Sequence, residues 1–280
     1  FISTHSYGVK QGYLDEYGNT GTRLAEENMS VSGDVLQSRK EIENSSMPGL
    51  ELHYTEWSAS YTPSDPIHDS YHEAPYVLQK LKQVDDAAQS MSYWTFTDIF
   101  EEAGPRFEPF HGGFGMLTIQ GINKPVFYAY KYMNELGNTE LVNNDSMSWA
   151  CKDNNGNIQV LAWDYTYTLP DDSINNQQYY IQDLPSRQKG KLRISISDVP
   201  AGKYALEVYK TGYRSNDAYT TYLDMNKPAH LSQVQVKEMK KLNNGAPETK
   251  EIITVGPDSK FSKSLDLREN DVYFLNLVRL

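Results

Sequence analysis

Three times in the first half of the chain, a short apolar strand signal is followed by a polar loop and then by an amphipathic helix signal. No other feature constrains the fold as much. Strands joined through helices must run parallel, because a parallel pair needs a crossover of a dozen or more residues. The first strand is expected over residues 2–6 and the first helix over 32–44. That helix has Val35, Leu36 and Ile42 at helical spacing and Ser32 as N-cap. Pro48-Gly49 breaks the chain before a second strand at 50–57. A second helix, at 70–90, carries the stripe Val77, Leu78, Leu81, Val84 and Ala88. A third strand at 91–97 leads into a glycine-bearing loop and a helix at 125–136 that opens on Pro125. The loops after strands are long and those after helices are short. In a βα barrel the loops that follow strands build the functional face.

From about residue 138 the pattern changes to alternating strands, at 148–152, 158–165, 192–197, 204–210, 251–255 and 272–277. Asp153-Asn154-Asn155-Gly156 reads as a hairpin turn rather than a calcium loop. One helix interrupts, at 232–242. The expected fold class is α/β plus all-β: a partial (β/α)8 TIM barrel in residues 1–137, followed by a β-sandwich in 138–280. Three units cannot close a barrel of eight, so five further units are expected upstream of Phe1.

The net charge of −11 argues against a nucleic-acid partner, whose phosphates call for a basic surface. No apolar run reaches the length that spans a bilayer as a helix, so no membrane partner is expected. Cys151 is the single cysteine and cannot form an internal disulfide. His68 and His72 have the i, i+4 spacing of helical metal ligands, but no third ligand aligns with them. No cofactor is implied.

The strand Leu50-Glu51-Leu52-His53-Tyr54-Thr55-Glu56 ends in a carboxylate. At that position in a barrel, Glu56 points across the mouth. A retaining glycosidase needs a carboxylate there to attack the anomeric carbon, with a second about 5 Å away to protonate the leaving oxygen. His5 and Tyr7 end the first strand and can donate hydrogen bonds to Glu56. Trp94, in the third strand, offers an apolar face for a sugar ring. The following loop supplies Asp98, Glu101 and Glu102 as acceptors for sugar hydroxyls. Each residue also has an ordinary structural reading, such as core packing for Trp94 or a solvated charge for the glutamates. All fall on the same edge of three consecutive units.

The segments His5-Ser6-Tyr7, 53–61, 93–102 and 110–117 closely resemble glycoside hydrolase family 39, which contains β-xylosidases and α-L-iduronidases. The similarity is strongest to bacterial β-xylosidases. It implies Glu56 as the catalytic nucleophile and His5, Tyr7, Trp94, Glu101, Glu102, Phe110 and His111 as substrate-binding residues. It also implies a xylo-oligosaccharide or related glycoside as substrate. The location is left open, with a periplasmic or secreted one favoured. The family's acid/base glutamate lies in a Trp-Asn-Glu-Pro-like motif that does not occur here. Asn134-Glu135, the sole Asn-Glu pair, ends a helix. These 280 residues are therefore expected to be an inactive part of a retaining glycosidase, able to self-associate through strand edges left open. Two alternatives are a family-39 enzyme acting on another glycoside, and a carbohydrate-binding module in which Tyr165, Tyr167, Tyr179 and Tyr180 of the β-rich half hold glycans.

Overall fold

A computed structural model describes every residue of the chain except 15, 19, 27, 100–103, 105 and 168–174. Its first half runs β1 (Ile2–Tyr7), β2 (Val9–Leu14), β3 (Thr20–Leu24), α1 (Ser32–Glu43), β4 (Leu52–Ser58), α2 (Glu73–Val84), β5 (Ser90–Tyr93) and α3 (Pro125–Asn134). β1, β4 and β5 form a parallel sheet in that order. Among the described residues, β1 and β5 are its unpaired edges. The sheet's helices bury its apolar side: Val35 and Ile42 of α1 pack with Leu52, Tyr54 and Val84.

Three local features differ from expectation. β2 and β3 form an antiparallel hairpin where only a glycine-bearing loop is expected. α2 is shorter than expected. It follows a 3-10 turn at Pro66–Asp69 and stops at Val84, because Asp85 adopts φ 48°. β5 ends four residues early, at Tyr93. There the Trp94–Thr95 peptide is cis and the chain turns to pair with residues 114–117. Thr95 N donates to Phe114 O (3.0 Å), and Asp98 N donates to Leu117 O (2.8 Å).

The second half contains β6 (Thr139–Glu140), β7 (Ser148–Lys152), β8 (Ile158–Trp163), β9 (Gln188–Ile196), β10 (Gly202–Thr211), α4 (Ala218–Asp224), α5 (Gln233–Leu242), β11 (Thr249–Val255), β12 (Phe261–Arg268) and β13 (Val272–Arg279). Six strands form one antiparallel sheet in the order β11-β10-β13-β8-β7-β6, and β9 pairs with β12 in a second sheet. The sheets share a core in which Ile158, Val160, Tyr204, Leu206, Leu275 and Leu277 meet Ile194 and Phe261. The expectation lacks β6, β12 and α4.

β13 shows why the two halves hold together. Tyr273, Leu275 and Leu277 point toward β9 and β12, whereas Val272 and Phe274 point toward α2 and α3. A strand covered on both faces has no polar side, which accounts for the unbroken apolar run Val272-Tyr273-Phe274-Leu275. Tyr132 of α3 stacks on Phe274 at 5.4 Å, and Trp163 Nε1 donates to Gln79 Oε1 of α2 at 2.9 Å. The tyrosines considered for glycan binding also serve this junction. Tyr180 is buried, and Tyr165 and Tyr179 pack with it against Leu24, Trp57 and Tyr76. Tyr167 donates to the Ala25 carbonyl. No helix among the described residues is long and apolar enough to cross a membrane.

Candidate active site

The register of β1 against β4 sets Glu56 opposite His5, with a bulge between Thr4 and His5. Side chains two apart on a strand share a face, so Tyr7 stands beside His5. The Tyr7 hydroxyl donates to Glu56 Oε2 at 2.7 Å, and His5 Nδ1 lies 3.3 Å from the same oxygen. The Glu56 side chain keeps 27% of its surface open to solvent, enough for an incoming ligand to reach it. Tyr61 meets Tyr7 edge to face at 6.1 Å. The sequence reading assigns Tyr61 no role, although it ends the segment that contains Glu56.

Trp94 is next in the array. Its backbone N donates to Trp57 O at 3.0 Å, so it leaves the sheet beside the residue that follows Glu56. The indole is half-buried. His111 is also half-buried, with Nδ1 3.0 Å from the Glu108 carbonyl. Glu101 and Glu102 lie outside the described residues.

Two residues are placed differently from expectation. Phe110 turns into an apolar cluster beneath α4 and α5, with ring centroids 5.0 Å from Tyr222 and 5.8 Å from Tyr219. It is buried there, so packing against α4 occupies its ring. Asp98, expected to accept from sugar hydroxyls, has a side chain closed off from solvent. The Lys124 ammonium lies 2.8 Å from Asp98 Oδ2 and 2.7 Å from Asp69 Oδ1, and donates to Gly113 O at 2.8 Å. Gly115 N donates to Asp98 Oδ1 at 2.8 Å, and Gly112 N donates to Asp69 Oδ2 at 2.7 Å. Burial works against charge on Lys124, but the two carboxylates override it and hold its pKa above the usual lysine value. Burial pushes Asp98 up, against the opposing pull of Lys124.

This network explains the glycines of the loop. A Cβ on Gly113 would overlap the Asp98 carboxylate, and one on Gly115 would overlap the Asp98 backbone. His68 also belongs to it, as a support and not a metal ligand. Its Nδ1 lies 2.8 Å from Gly112 O and its Nε2 3.1 Å from Ser60 O. Burial pushes its pKa down to about 4, which keeps it neutral at pH 7. His72 pairs with the Ser70 hydroxyl at 2.7 Å. Asp65 receives hydrogen bonds from the Thr22 and Ser60 hydroxyls, which anchor the β2–β3 hairpin to the loop after β4.

Chemically, the mouth of the three-stranded sheet presents a partly solvated carboxylate with a fixed rotamer. It is flanked by an imidazole and a phenol, and Trp94 leaves the sheet beside the residue that follows it. That set suits attack on, or charge stabilisation at, a carbon that becomes cationic.

The sequence matches the profile described as Glycosyl hydrolases family 39 over residues 1–256. It is 42% identical to the GH39 enzyme from Xanthomonas axonopodis pv. citri. The TM-score is 0.93, and the match covers all of this chain and 55% of that one. A monomeric beta-xylosidase from Caulobacter crescentus CB15 is 40% identical at a TM-score of 0.92, with 99% of this chain and 55% of that chain covered. A beta-xylosidase of Geobacillus stearothermophilus is 34% identical over 167 residues, which make up 58% of this chain and 32% of that protein. The chain spans about half the length of the solved relatives that it matches. It belongs to the glycosyl hydrolases of family 39.

Proposed function

We propose that these 280 residues form part of a retaining glycosidase that hydrolyses β-1,4-xylosides by double displacement, with Glu56 as nucleophile. The observation that carries this reading is the carboxylate of Glu56, held by Tyr7 at 2.7 Å at the carboxyl end of a parallel strand. A glycosidase nucleophile must be ionised, and must be aimed before substrate arrives. A phenol donating to one carboxylate oxygen meets the second condition and leaves the other oxygen for the anomeric carbon. Two of the relatives that the chain matches are named beta-xylosidases, which favours xylose as the sugar.

In this reading residues 1–137 supply three βα units of an eight-stranded barrel, and residues 138–280 a β-sandwich that braces it. Trp94 carries the sugar ring. His5, Glu101, Glu102 and His111 complete the pocket, and Phe110 anchors the loop that carries His111 by packing against α4. Glu56 attacks the anomeric carbon to form a glycosyl-enzyme. A carboxylic acid from the rest of the longer polypeptide protonates the leaving oxygen and then activates water. Residues 1–280 alone lack that acid and are inactive. Their open β1 and β5 edges pair with further strands, either from the longer polypeptide or from another copy.

Hydrolysis of aryl β-xylosides tests the proposal. The longer polypeptide is expected to release xylose with retention of configuration, and residues 1–280 to release none. Inversion, or turnover of natural xylo-oligosaccharides by the 280 residues at an enzyme-like rate, refutes it.

A further inference from the structure

Lys124 is the first residue before α3, and its sequence context, Asn123-Lys124-Pro125, has the look of an ordinary solvated helix start. Its side chain is instead closed to solvent, and its ammonium meets groups from three separate segments. Asp69 closes the 3-10 turn that follows β4. Asp98 lies beyond β5. Gly113 belongs to the loop that carries His111. The ammonium donates to Asp98 Oδ1 at 3.0 Å and to Gly113 O at 2.8 Å, and pairs by charge with Asp69 at 2.7 Å. A buried cation with two buried carboxylates is an expensive way to hold a loop, since the desolvation cost is large for each ion. Apolar residues of the same volume would fill the space without that cost. The arrangement therefore points to placement of the loop rather than to stability.

We propose that Lys124 is a positioning residue of the sugar site: through Asp69, Asp98 and Gly113 it sets where Trp94 and His111 stand relative to Glu56. The proposal rests on the reading of that site as a glycosidase pocket. The connections are short. Asp98 takes the Gly115 amide, and Asp69 takes the Gly112 amide, so the loop is gripped on both sides of Gly113. The gripped loop then pairs with the segment that starts at Trp94, through Thr95 N to Phe114 O and Met116 N to Thr95 O, both 3.0 Å. His111 is the residue next to Gly112. Loss of the ammonium removes the charge that keeps two carboxylates side by side, and the loop must move to let water reach them. A displacement of about 1 Å at a catalytic site can cost about 10²-fold in rate.

The test has two readings. In residues 1–280, hydrogen exchange is measured at the Gly112 and Gly115 amides of the wild type, Lys124→Met and Asp98→Asn. Both amides are expected to exchange at least about 10²-fold faster in Lys124→Met and about 10-fold faster in Asp98→Asn, with the β10 and β13 amides unchanged. Asp98→Asn keeps the side-chain volume and one of the two ion pairs, so it provides the answer if Lys124→Met does not fold. In the longer polypeptide, kcat/KM is measured on whichever aryl glycoside the wild type turns over fastest, so an error in the sugar assigned does not affect the result. A loss of about 10²-fold in Lys124→Met and about 10-fold in Asp98→Asn is expected, well below the unfolding temperature. Unchanged exchange in the variants overturns the clamp, and faster exchange with unchanged kcat/KM overturns the positioning role.

Discussion

Replacing Glu73 with Gln should make the chain more stable, by an amount that grows with pH. Glu73 sits in the first turn of α2 with none of its side chain open to water. Its Oε1 accepts two long hydrogen bonds, from Ala59 N at 3.4 Å and the Tyr93 hydroxyl at 3.3 Å. Its Oε2 has no hydrogen-bond partner among the described residues. Burial pushes its pKa up from 4.5 to about 8, so the folded protein holds the carboxyl neutral through pH 7. Above pH 4.5 the unfolded chain releases this proton and the folded chain keeps it. Unfolding therefore becomes easier as pH rises from 4.5 to about 8, and the penalty levels off beyond. Each unit of separation is worth about 1.4 kcal/mol, which gives about 3 kcal/mol at pH 7. Gln keeps the acceptor for Ala59 and Tyr93, carries no titrating proton, and replaces the orphaned oxygen with a donor. Urea unfolding of both proteins at pH 5, 7 and 8.5 reads the effect directly. The stability difference should favour Gln and widen by about 2.5 kcal/mol between pH 5 and 7. Curves that stay parallel across this range would show that Glu73 is not held neutral and refute the reasoning.

Three further outcomes follow from the geometry. Tyr7→Phe removes one hydrogen bond to a charged oxygen, worth about 1.5–3 kcal/mol, and should lower kcat/KM of the longer polypeptide by about 10- to 100-fold; wild-type kinetics would remove Tyr7 from the mechanism. Gly115→Ala forces a Cβ into the Asp98 backbone and should cost about 1–3 kcal/mol by urea unfolding, so an unchanged midpoint would count against this packing. Light scattering of residues 1–280 should show concentration-dependent association through the β1 and β5 edges, and a monomer at all concentrations would contradict it.

Much of this arrangement was legible in the sequence because it is encoded locally. The buried face of β10, Tyr204, Leu206 and Val208, follows a period of two that needs no tertiary information. Glu56 stood out because a strand ended in a carboxylate beside a His-x-Tyr strand. The hairpin of β2 and β3 was hidden because Lys10, Gln11, Thr20 and Thr22 give no apolar alternation. It is held from outside, by Thr22 and Asp65. β12 did carry an alternation in Phe261, Leu265 and Leu267, but its polar positions diluted it. Asp98 was misread, and Lys124 passed over, for a deeper reason. An ionisable side chain is exposed by default, and only a partner distant in sequence can bury it. Asp98 and Lys124 are 26 residues apart, and Asp69 lies further back still. Phe110 was drawn inward by α4, a helix too short and too rich in Tyr and Thr to be read from propensity.

The central claim is that Glu56 is the nucleophile. It is tested most directly by incubating the longer polypeptide with a 2-fluoro xyloside that forms a long-lived glycosyl-enzyme, followed by digestion and mass spectrometry of the labelled peptide. A single fluoroxylosyl adduct is expected on Glu56, absent in Glu56→Gln. An adduct on any other residue, with Glu56 unmodified, would contradict it.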